Sequence, residues 1–255
     1  MDVEEITRAV VEHENRGDTP FGLYIVRGTD QAAEMGRSVE REVFYDFFGN
    51  SPELLAEEYG RYEDSSLFLC IVDHLRMKPA GVFRIVLPSD AGLKTFHDME
   101  RDWGLDITAL LSRAEMKPDA DAYWDAATLA ISADYRGDAA SGMVRLGLCQ
   151  ALCMLAARGD VPYLVTIIDV LVADLMQRFL QRPWQPFPRV EPKRYLGSGS
   201  SLPMYIDAFE YRSRLALIDP DAYELLFEGV GTEAAISTPL ADRDPALDER
   251  WFHTA

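Results

Sequence analysis

The chain has 255 residues, of which 48% are hydrophobic, so it can bury one large core or two small ones. It carries 25 lysines and arginines against 43 aspartates and glutamates, which gives a formal net charge of -18. A chain this acidic repels the nucleic-acid backbone, and we therefore expect no nucleic-acid partner.

The first five residues are acidic and lack the basic start and apolar core of a signal peptide. Apolar stretches such as residues 163–168 and 170–173 are far shorter than the roughly 20 residues that cross a bilayer. We therefore expect a cytoplasmic protein without a membrane span. Cys149 and Cys153 lie among leucines and far from any histidine, which favours core packing over metal or redox work.

The first half of the chain predicts helices on either side of an antiparallel hairpin. Met35, Val39 and Val43 recur at four-residue spacing, which indicates an amphipathic helix that covers a sheet. Ser51 and Pro52 form an N-cap followed by proline at the first helical position. In chain order we expect a helix over 3–15, a strand over 21–27, the amphipathic helix, a helix from 52 to 59, and strands over 67–73 and 80–87.

The second half alternates strands and helices and ends in an acidic tail. We expect helices over 93–103 and 107–115, a buried strand over 123–132 and a long apolar helix over 143–158. There follow a strand over 163–168, a helix over 171–181, an irregular crossing over 182–192, a flexible loop over 198–201 and a strand over 203–209. After residue 220 we expect one helix over 223–227 and then partial disorder.

The strand over 123–132 runs into a turn of small residues that opens the long helix. The turn comprises Arg136, Gly137, Asp138, Ala139, Ala140, Ser141 and Gly142. A helix N-terminus after such a turn leaves backbone amides unpaired, and these can hold a phosphate. Asp125 lies on the same strand, so an ionisable group and an anion-binding end would share one rigid element. The other interpretation is an ordinary strand–turn–helix packing unit.

The order of elements over residues 21–211 resembles the GNAT superfamily of acyltransferases. In that superfamily the turn after the fourth strand binds the pyrophosphate of coenzyme A through a pattern like Arg-Gly-x-Gly-x-Gly/Ala, and residues 136–142 fall in that place. Asp138 adds a negative charge there, which favours either the packing interpretation or a donor carried by acyl carrier protein. The resemblance also implies that the fourth strand separates from the fifth near Tyr163. A bulge near Leu129, Ala130 and Ile131 would then offer an amide to the developing oxyanion.

A narrower resemblance is to the autoinducer synthases and the bacterial N-acyl amino acid synthases. It rests on Phe44, on Gly81-Val82-Phe83-Arg84-Ile85-Val86, and on Trp124-Asp125-Ala126-Ala127-Thr128-Leu129-Ala130-Ile131. Those families often read Trp-Glu-x-Ser-Arg-Phe/Leu-Ala-Val on the fourth strand, so Asp125 matches their glutamate and Thr128 replaces their arginine. The resemblance implies that Asp125 is catalytic and that Arg84, Phe44 and Trp124 bind substrate.

An acyltransferase of this kind needs a base, because a free amine is mostly protonated at neutral pH. Asp125 is the first candidate, directly or through water, and Asp134 is the second; alternatively, Asp125 only pairs with a neighbouring arginine. Arg84 would bind a carboxylate of the acceptor, or it is a strand-end surface arginine. Phe179 falls where many GNAT enzymes carry the tyrosine that protonates the leaving thiolate. Phenylalanine cannot do so, which leaves water, Ser141 or no acid at all.

Two further patterns bear on the donor. Residues 136–194 contain eight basic and five acidic side chains, which either attract an anionic donor or form a mixed solvated surface. A set of aromatic and apolar residues lines an acyl-chain tunnel or belongs to the core: Trp184, Phe187, Tyr195, Met204, Tyr205 and Phe209.

The sequence therefore predicts an α+β fold in which helices flank a GNAT-type mixed, mainly antiparallel sheet. Its predicted parts are an N-terminal helix over 1–20, an acyltransferase domain over 21–217, and a C-terminal helix with an acidic tail over 218–255. The predicted function is an N-acyltransferase that moves an acyl group from coenzyme A or acyl carrier protein to a small amino-acid-like amine, without a metal. The alternatives are an acetyl-coenzyme A dependent N-acetyltransferase and a catalytically silent module that binds a ligand or a protein partner.

Overall fold

The computed structural model describes residues 2–15, 18–137 and 139–241. Most of the tail predicted to be disordered, from residue 242 onward, lies outside the described residues. The strands are β1 (Phe21–Arg27), β2 (Ser66–Asp73), β3 (Lys78–Val86), β4 (Tyr123–Ile131), β5 (Tyr163–Asp169), β6 (Gln185–Pro186), β7 (Lys193–Tyr195), β8 (Ser198–Asp207) and β9 (Ile236–Ser237). The helices are α1 (Val3–Glu14), α2 (Glu34–Phe48), α3 (Pro52–Tyr59), α4 (Lys94–Trp103), α5 (Ile107–Arg113), α6 (Ala139–Arg158), α7 (Val170–Phe179), α8 (Ala208–Ile218) and α9 (Pro220–Tyr223).

Within the described residues, nine strands form one sheet in the order β6-β8-β5-β4-β3-β2-β1-β9, and β7 pairs with β8. Neighbouring strands are antiparallel except at two places, β4 with β5 and β1 with β9, where they are parallel. The predicted mixed, mainly antiparallel sheet is confirmed, and Asp125 lies on the fourth strand as expected. The parallel pair β4–β5 lies inside the sheet, so any separation of these two strands opens the sheet itself.

Helices cover both faces of the sheet, because the strand residues alternate between two cores. On one face, Leu148 of α6 shares a core with Phe83 of β3. On the other face, Val39 of α2 shares a core with Phe68 of β2. Helices α4 and α5 form a third cluster around Tyr123 of β4. Of the helices described, none is long and apolar enough to cross a membrane.

Helix α3 begins where the sequence predicts, and its start fixes the position of Tyr59 at its other end. The Ser51 hydroxyl accepts a hydrogen bond from the Leu54 N–H at 3.2 Å, and Pro52 takes the first helical position. The preceding helix α2 ends at Gly49 with a φ of 69°, a left-handed conformation that glycine adopts without a Cβ clash. Only Gly49, Asn50 and Ser51 therefore separate α2 from α3.

The structure corrects the predictions for the last third of the chain. The run over 198–201 is not a loop but the start of β8, where Ser201 pairs with Asp169 of β5. The strand predicted over 203–209 ends at Asp207, whose carboxylate accepts from the Glu210 N–H and starts α8. Sequence analysis missed α8. The helix predicted over 223–227 is the four-residue α9 followed by a π-helical turn over Glu224–Glu228.

Candidate active site

The site begins where β4 and β5 separate. The two strands pair from Tyr123 to Asp125 on β4 with Tyr163 to Val165 on β5, and no further pairing follows within these described strands. At the last pair, the Thr166 hydroxyl donates a 2.8 Å hydrogen bond to the Ala126 carbonyl oxygen. The sequence predicts separation near Tyr163, whereas the strands part after Val165. The opening therefore begins beside Ala126.

Strand β4 carries a bulge at this opening. Its register with β3 jumps from Arg84 opposite Thr128 to Ile85 opposite Ala126, which leaves Ala127 as the extra residue. The predicted bulge near Leu129, Ala130 and Ile131 is wrong by a few residues, because all three pair regularly with β3. An extra residue redirects the strand locally, and Ala127 itself lines the opening.

An apolar cavity of about 120 Å³ lies in the opening between β4 and β5. A cavity of this size is close to one of about 150 Å³ that holds a benzene molecule in another protein. Residues from both faces of the sheet line it, since the sheet is open at this place. They are Phe44, Phe48, Tyr59, Phe83, Ala126, Ala127, Thr128, Leu129, Thr166, Ile167, Ile168, Asp169, Val172, Met176, Trp184, Tyr195, Leu196, Ser198 and Ser201.

The residues predicted to form an acyl-chain tunnel divide between cavity and core. Trp184 and Tyr195 line the cavity. Phe187 is fully buried in the α4–α5 cluster and Met204 in the α6 core, while Phe209 is exposed. A second, smaller cavity of about 30 Å³ lies behind the first, and both are lined by Phe83, Met176 and Trp184.

The Asp125 side chain is fully buried and caps a helix. Its two oxygens accept from the Thr95 N–H at 2.5 Å and from the Thr95 hydroxyl at 2.9 Å. Thr95 is the second residue of α4, whose own N-cap, Leu93, offers no side-chain hydrogen bond. Burial raises the pKa of Asp125 to about 6. Asp125 does not line the cavity, so its carboxylate does not contact the opening directly. Its role as a base that acts through water stays a prediction.

Asp134, the second candidate base, lies away from the cavity. It is exposed and forms a 2.6 Å ion pair with Lys78. This lysine holds the pKa of Asp134 below its ordinary value. An exposed, ion-paired carboxylate of this kind is a weak base, and Asp134 is not among the residues that line the opening.

Arg84 is buried and paired with internal carboxylates. Its Nε and Nη2 donate to the two oxygens of Glu40 at 2.9 and 2.6 Å, and its Nη1 donates to Glu63 at 3.0 Å. Burial alone would lower the pKa of Arg84, but Glu40 and Glu63 raise it. The alternative of a surface arginine is wrong. The fork that a substrate carboxylate would need is occupied by Glu40, so this placement does not support Arg84 as the carboxylate ligand.

Beside Arg84 lies a third cavity, of about 250 Å³, whose walls are charged. It is lined by Arg37, Glu40, Arg41, Pro52, Leu55, Ala56, Gly60, Glu63 and Arg84. Charges of both signs and a short apolar wall therefore face one space. Thr128 connects the two cavities, because it lines the apolar one and its hydroxyl donates to Glu40.

The other two predicted substrate-binding residues differ in position. Phe44 lies on α2 and lines the apolar cavity, where Phe48 packs against it with ring centroids 5.7 Å apart. Trp124 points to the opposite face of β4 and lies in the α6 core. The structure therefore brings Phe44 to the opening and keeps Trp124 away from it.

Only part of the predicted phosphate turn can be described. Asp138 and the side chains of Ala139, Ala140 and Ser141 lie outside the described residues. Helix α6 begins at Ala139 rather than at residue 143, so Gly142 lies in its first turn. Gly137 has a φ of 93°, a conformation that only glycine adopts readily, and it turns the chain into the helix.

Arg136 presents an unused donor at this turn. Its Nε donates to the Ile131 carbonyl oxygen at 2.7 Å, and its guanidinium carbon lies 4.5 Å from the centre of the Phe47 ring. Its Nη2 is buried and has no partner among residues 2–15, 18–137 and 139–241. Buried donors are nearly always paired, so this nitrogen fits a phosphate oxygen of a bound donor.

Phe179 does not reach the opening. It is partly exposed, and the guanidinium carbon of Arg145 lies 5.1 Å from its ring centre. The phenols that line the cavity are instead Tyr59 and Tyr195. The Tyr195 hydroxyl donates to Asp98 and accepts from Lys94 Nζ at 3.1 Å.

Sequence analysis missed the buried charges beneath these phenols. Lys94 is 3% exposed and pairs with Glu58 at 2.7 Å and Asp98 at 2.5 Å. The spacing of Lys94 and Asp98 on α4 was the available signal, since residues four apart share a helix face. Glu40 gave no such signal, because a lone glutamate on an amphipathic helix is usually solvated.

No family model matches the sequence, and a search of curated proteins finds no match. Among solved structures, the chain is similar to FeeM, an N-acyl amino acid synthase from uncultured soil microbes. The TM-score is 0.53 and the identity 15%, over 76% of this chain and 93% of FeeM. It is also similar to BjaI, a CoA-dependent acyl-homoserine lactone synthase solved with SAM and isopentyl-CoA. Here the TM-score is 0.51 and the identity 12%, over 89% of this chain and 97% of BjaI. The chain therefore has the GNAT-type fold that these acyl-transferring synthases share.

Proposed function

We propose that the protein is an N-acyltransferase that moves an acyl group from a thioester to the amine of a small amino-acid-like acceptor. The observation that carries the proposal is the apolar cavity between the separated strands β4 and β5, beside the bulge at Ala127. A cavity inside the sheet, next to redirected backbone amides, suits an acyl chain whose carbonyl carbon is attacked at the strand. FeeM, an N-acyl amino acid synthase, and BjaI, a CoA-dependent acyl-homoserine lactone synthase, share the fold.

The reaction forms one bond and breaks one. The acceptor nitrogen bonds to the thioester carbonyl carbon, the carbon–sulfur bond breaks, and the sulfur leaves as a thiolate. The amine loses a proton to a base or to water, and the thiolate takes up a proton. The chain contributes the apolar cavity that holds the acyl group and the strand amides that face the oxyanion as it forms.

The donor is a thioester of coenzyme A or of acyl carrier protein. The buried, unpartnered Nη2 of Arg136 supports an anionic donor at the start of α6. Both carriers offer a phosphate to this nitrogen, because the thioester arm of acyl carrier protein also ends in one. Arg178 and Arg182, in the same half of the chain, are exposed and add positive charge to it.

The acceptor is a zwitterion such as an amino acid, held in the charged cavity. Arg41 uses only one nitrogen for Glu34 and offers the others to the carboxylate of the acceptor. Arg37, Glu40 and Glu63 pair with other side chains of the cavity wall, so they set the charge around the acceptor, and Leu55 contributes apolar contact. Thr128 lies between this cavity and the acyl cavity, so an amine near Glu40 lies beside the bulged strand.

The test is direct. Purified protein is incubated with acetyl- and octanoyl-coenzyme A and with octanoyl acyl carrier protein, together with a panel of amino acids and SAM, and products are identified by mass spectrometry. We expect an N-octanoyl product. Acetylated product alone would support the N-acetyltransferase alternative, and thioester binding without any product would support the silent module.

A further inference from the structure

Tyr59 lies at the end of α3 and closes one side of the acyl cavity. Its ring is 4% exposed, and it lines the cavity together with Thr128 and Tyr195. It comes directly before a 3₁₀ segment, Gly60–Ser65, so its backbone is fixed by helical hydrogen bonds on both sides. Tyr59 therefore places a phenol among the residues that line the cavity.

Two buried cations lie against the Tyr59 ring. The guanidinium carbon of Arg84 is 4.6 Å from the ring centre and the Lys94 Nζ is 4.9 Å from it. The cations that contact the Tyr59 ring are tied to both sides of the bulge: Arg84 lies opposite Thr128 in the β3–β4 register, and Lys94 precedes Thr95, which binds Asp125.

The Tyr59 hydroxyl is distinguished from the other two phenols nearby by its lack of a partner. The Tyr195 hydroxyl binds Asp98 and Lys94, and the Tyr62 hydroxyl lies 2.7 Å from His97 Nδ1. The Tyr59 hydroxyl makes no hydrogen bond within the described part of the chain, and its oxygen is not one of the fully buried atoms left without a partner. It is therefore open to the cavity that the residue lines. A hydroxyl that lines a cavity and lacks a protein partner is suited to a ligand atom.

Its surroundings keep this hydroxyl protonated. Burial raises the pKa of Tyr59 well above its ordinary value, and the nearby carboxylate of Glu40 raises it further. The hydroxyl is therefore a donor at neutral pH, and its proton is held too firmly to pass to a thiolate, whose conjugate thiol has a pKa of about 8.5. The two cations against the ring polarise the O–H bond and strengthen the hydrogen bond that it donates.

We propose that the Tyr59 hydroxyl donates a hydrogen bond to the carbonyl oxygen of the bound thioester and stabilises the oxyanion that forms there. This role rests on the proposed acyl transfer. No proton is transferred from Tyr59, because the oxyanion returns to a carbonyl when the carbon–sulfur bond breaks. Tyr59 thus acts together with the strand amides at Ala127, from the other side of the cavity.

The experiment compares Tyr59→Phe with a matched control, Tyr62→Phe. Both changes remove one buried phenolic oxygen, but Tyr62 does not line the cavity. With octanoyl-coenzyme A and the acceptor found for the wild type, we expect Tyr59→Phe to lower kcat by about 10²-fold, as loss of one oxyanion donor does, with KM within about twofold. Tyr62→Phe should keep kcat within about threefold. Equal kcat values for Tyr59→Phe and the wild type would overturn the inference and leave the proposed function intact.

A second readout needs no turnover. Infrared difference spectra of carbonyl-labelled octanoyl-coenzyme A bound to the protein report the hydrogen bond to the thioester oxygen. We expect a lower carbonyl frequency in the wild type and in Tyr62→Phe than in Tyr59→Phe. An unchanged frequency in Tyr59→Phe would overturn the inference even for a protein without measurable transfer. Absence of thioester binding to the wild type would overturn both this inference and the proposed function.

Discussion

The Thr128 hydroxyl donates a hydrogen bond to the Glu40 carboxylate, and both oxygens of this carboxylate also accept hydrogen bonds from the Arg84 guanidinium. Three residues from α2, β3 and β4 therefore form one buried polar unit directly beneath the bulge. The buried positive charge beside β4 therefore comes from β3, where Arg84 lies opposite Thr128.

Removing the Glu40 charge should destabilise the fold strongly. In Glu40→Gln the buried Arg84 keeps its charge and loses its main partner, and breaking such a pair costs about 3 kcal/mol or more in the free energy of unfolding. The measurement is urea unfolding followed by circular dichroism. Glu4→Gln is the control, because the Glu4–Arg8 pair is exposed and should contribute less than about 0.5 kcal/mol. Similar stability losses in the two variants would contradict the burial argument.

The pKa of Asp125 predicts an unusual dependence of stability on pH. In the folded protein its pKa is raised from an ordinary 3.8 to about 6, so between these values the native state holds a proton that the unfolded chain has released. The stabilisation is complete below the unfolded pKa and is lost as the pH rises through 6. Relative to Asp125→Asn, the free energy of unfolding of the wild type should fall by about 2 kcal/mol between pH 4 and pH 7. A pH-independent difference between the two proteins would refute this expectation.

The same variant tests the predicted catalytic role of Asp125. If the carboxylate acts as base through a water molecule, Asp125→Asn should lower kcat/KM by about 10²-fold at pH 7. The fall in wild-type activity below pH 6 should also disappear in the variant. Activity must be compared below the melting temperature of each protein, because the variant also changes the cap of α4. An unchanged rate would leave Asp125 with the capping role alone.

Affinity for the donor should rise with acyl length and then stop. Each methylene that enters the apolar cavity contributes about 0.8 kcal/mol, or roughly fourfold in affinity. Calorimetry with acetyl, butyryl, octanoyl and palmitoyl thioesters measures the series. In Met176→Ala, which removes a side chain shared by the two apolar cavities, the plateau should move to a longer chain. Flat affinities, or tightest binding of the acetyl thioester, would point to an acetyltransferase.

Arg136 should matter for carriers with phosphates and not for the acyl chain itself. Arg136→Gln should weaken octanoyl-coenzyme A binding by about 10-fold, because a charge-assisted hydrogen bond is lost. Binding of octanoyl-N-acetylcysteamine, which has the same acyl group and no phosphate, should be unchanged. Arg113→Gln on the exposed end of α5 is the control. An equal loss for both thioesters would assign Arg136 to the structure of the turn.

Patterns within a single element were readable from the sequence. The apolar run over 123–132 predicts a buried strand and places Asp125 on it, and the Ser51–Pro52 pair predicts the start of α3. The loop predicted over 198–201 is wrong, because small polar residues are typical of loops but here their backbone belongs to β8, in which Ser201 pairs with Asp169 of β5. Such pairing depends on a partner strand that local composition does not reveal.

Contacts between residues that are far apart in the chain could not be predicted from the sequence. The bulge at Ala127 exists only relative to β3, so no property of β4 alone marks it. Glu40 and Thr128 are 88 residues apart, and Arg84 meets Glu40 across 44 residues. Burial of Asp125 beneath α4 likewise depends on how that helix packs. A site made of such contacts can be suspected from a family pattern, but its hydrogen bonds need the fold.

The hydrogen bond from the Thr166 side chain to the Ala126 carbonyl has a consequence for how a donor enters. Backbone pairing of β4 with β5 ends at Asp125 and Val165, and the Ala126 carbonyl comes directly after it. The Thr166 hydroxyl occupies this carbonyl oxygen, so a side chain takes the place of the next backbone hydrogen bond between the two strands. The gap in the sheet is thus preorganised: it is present before any ligand arrives, and binding need not break strand pairing to create it. The free energy of binding an acyl chain in such a gap is therefore not reduced by a cost of separating the strands.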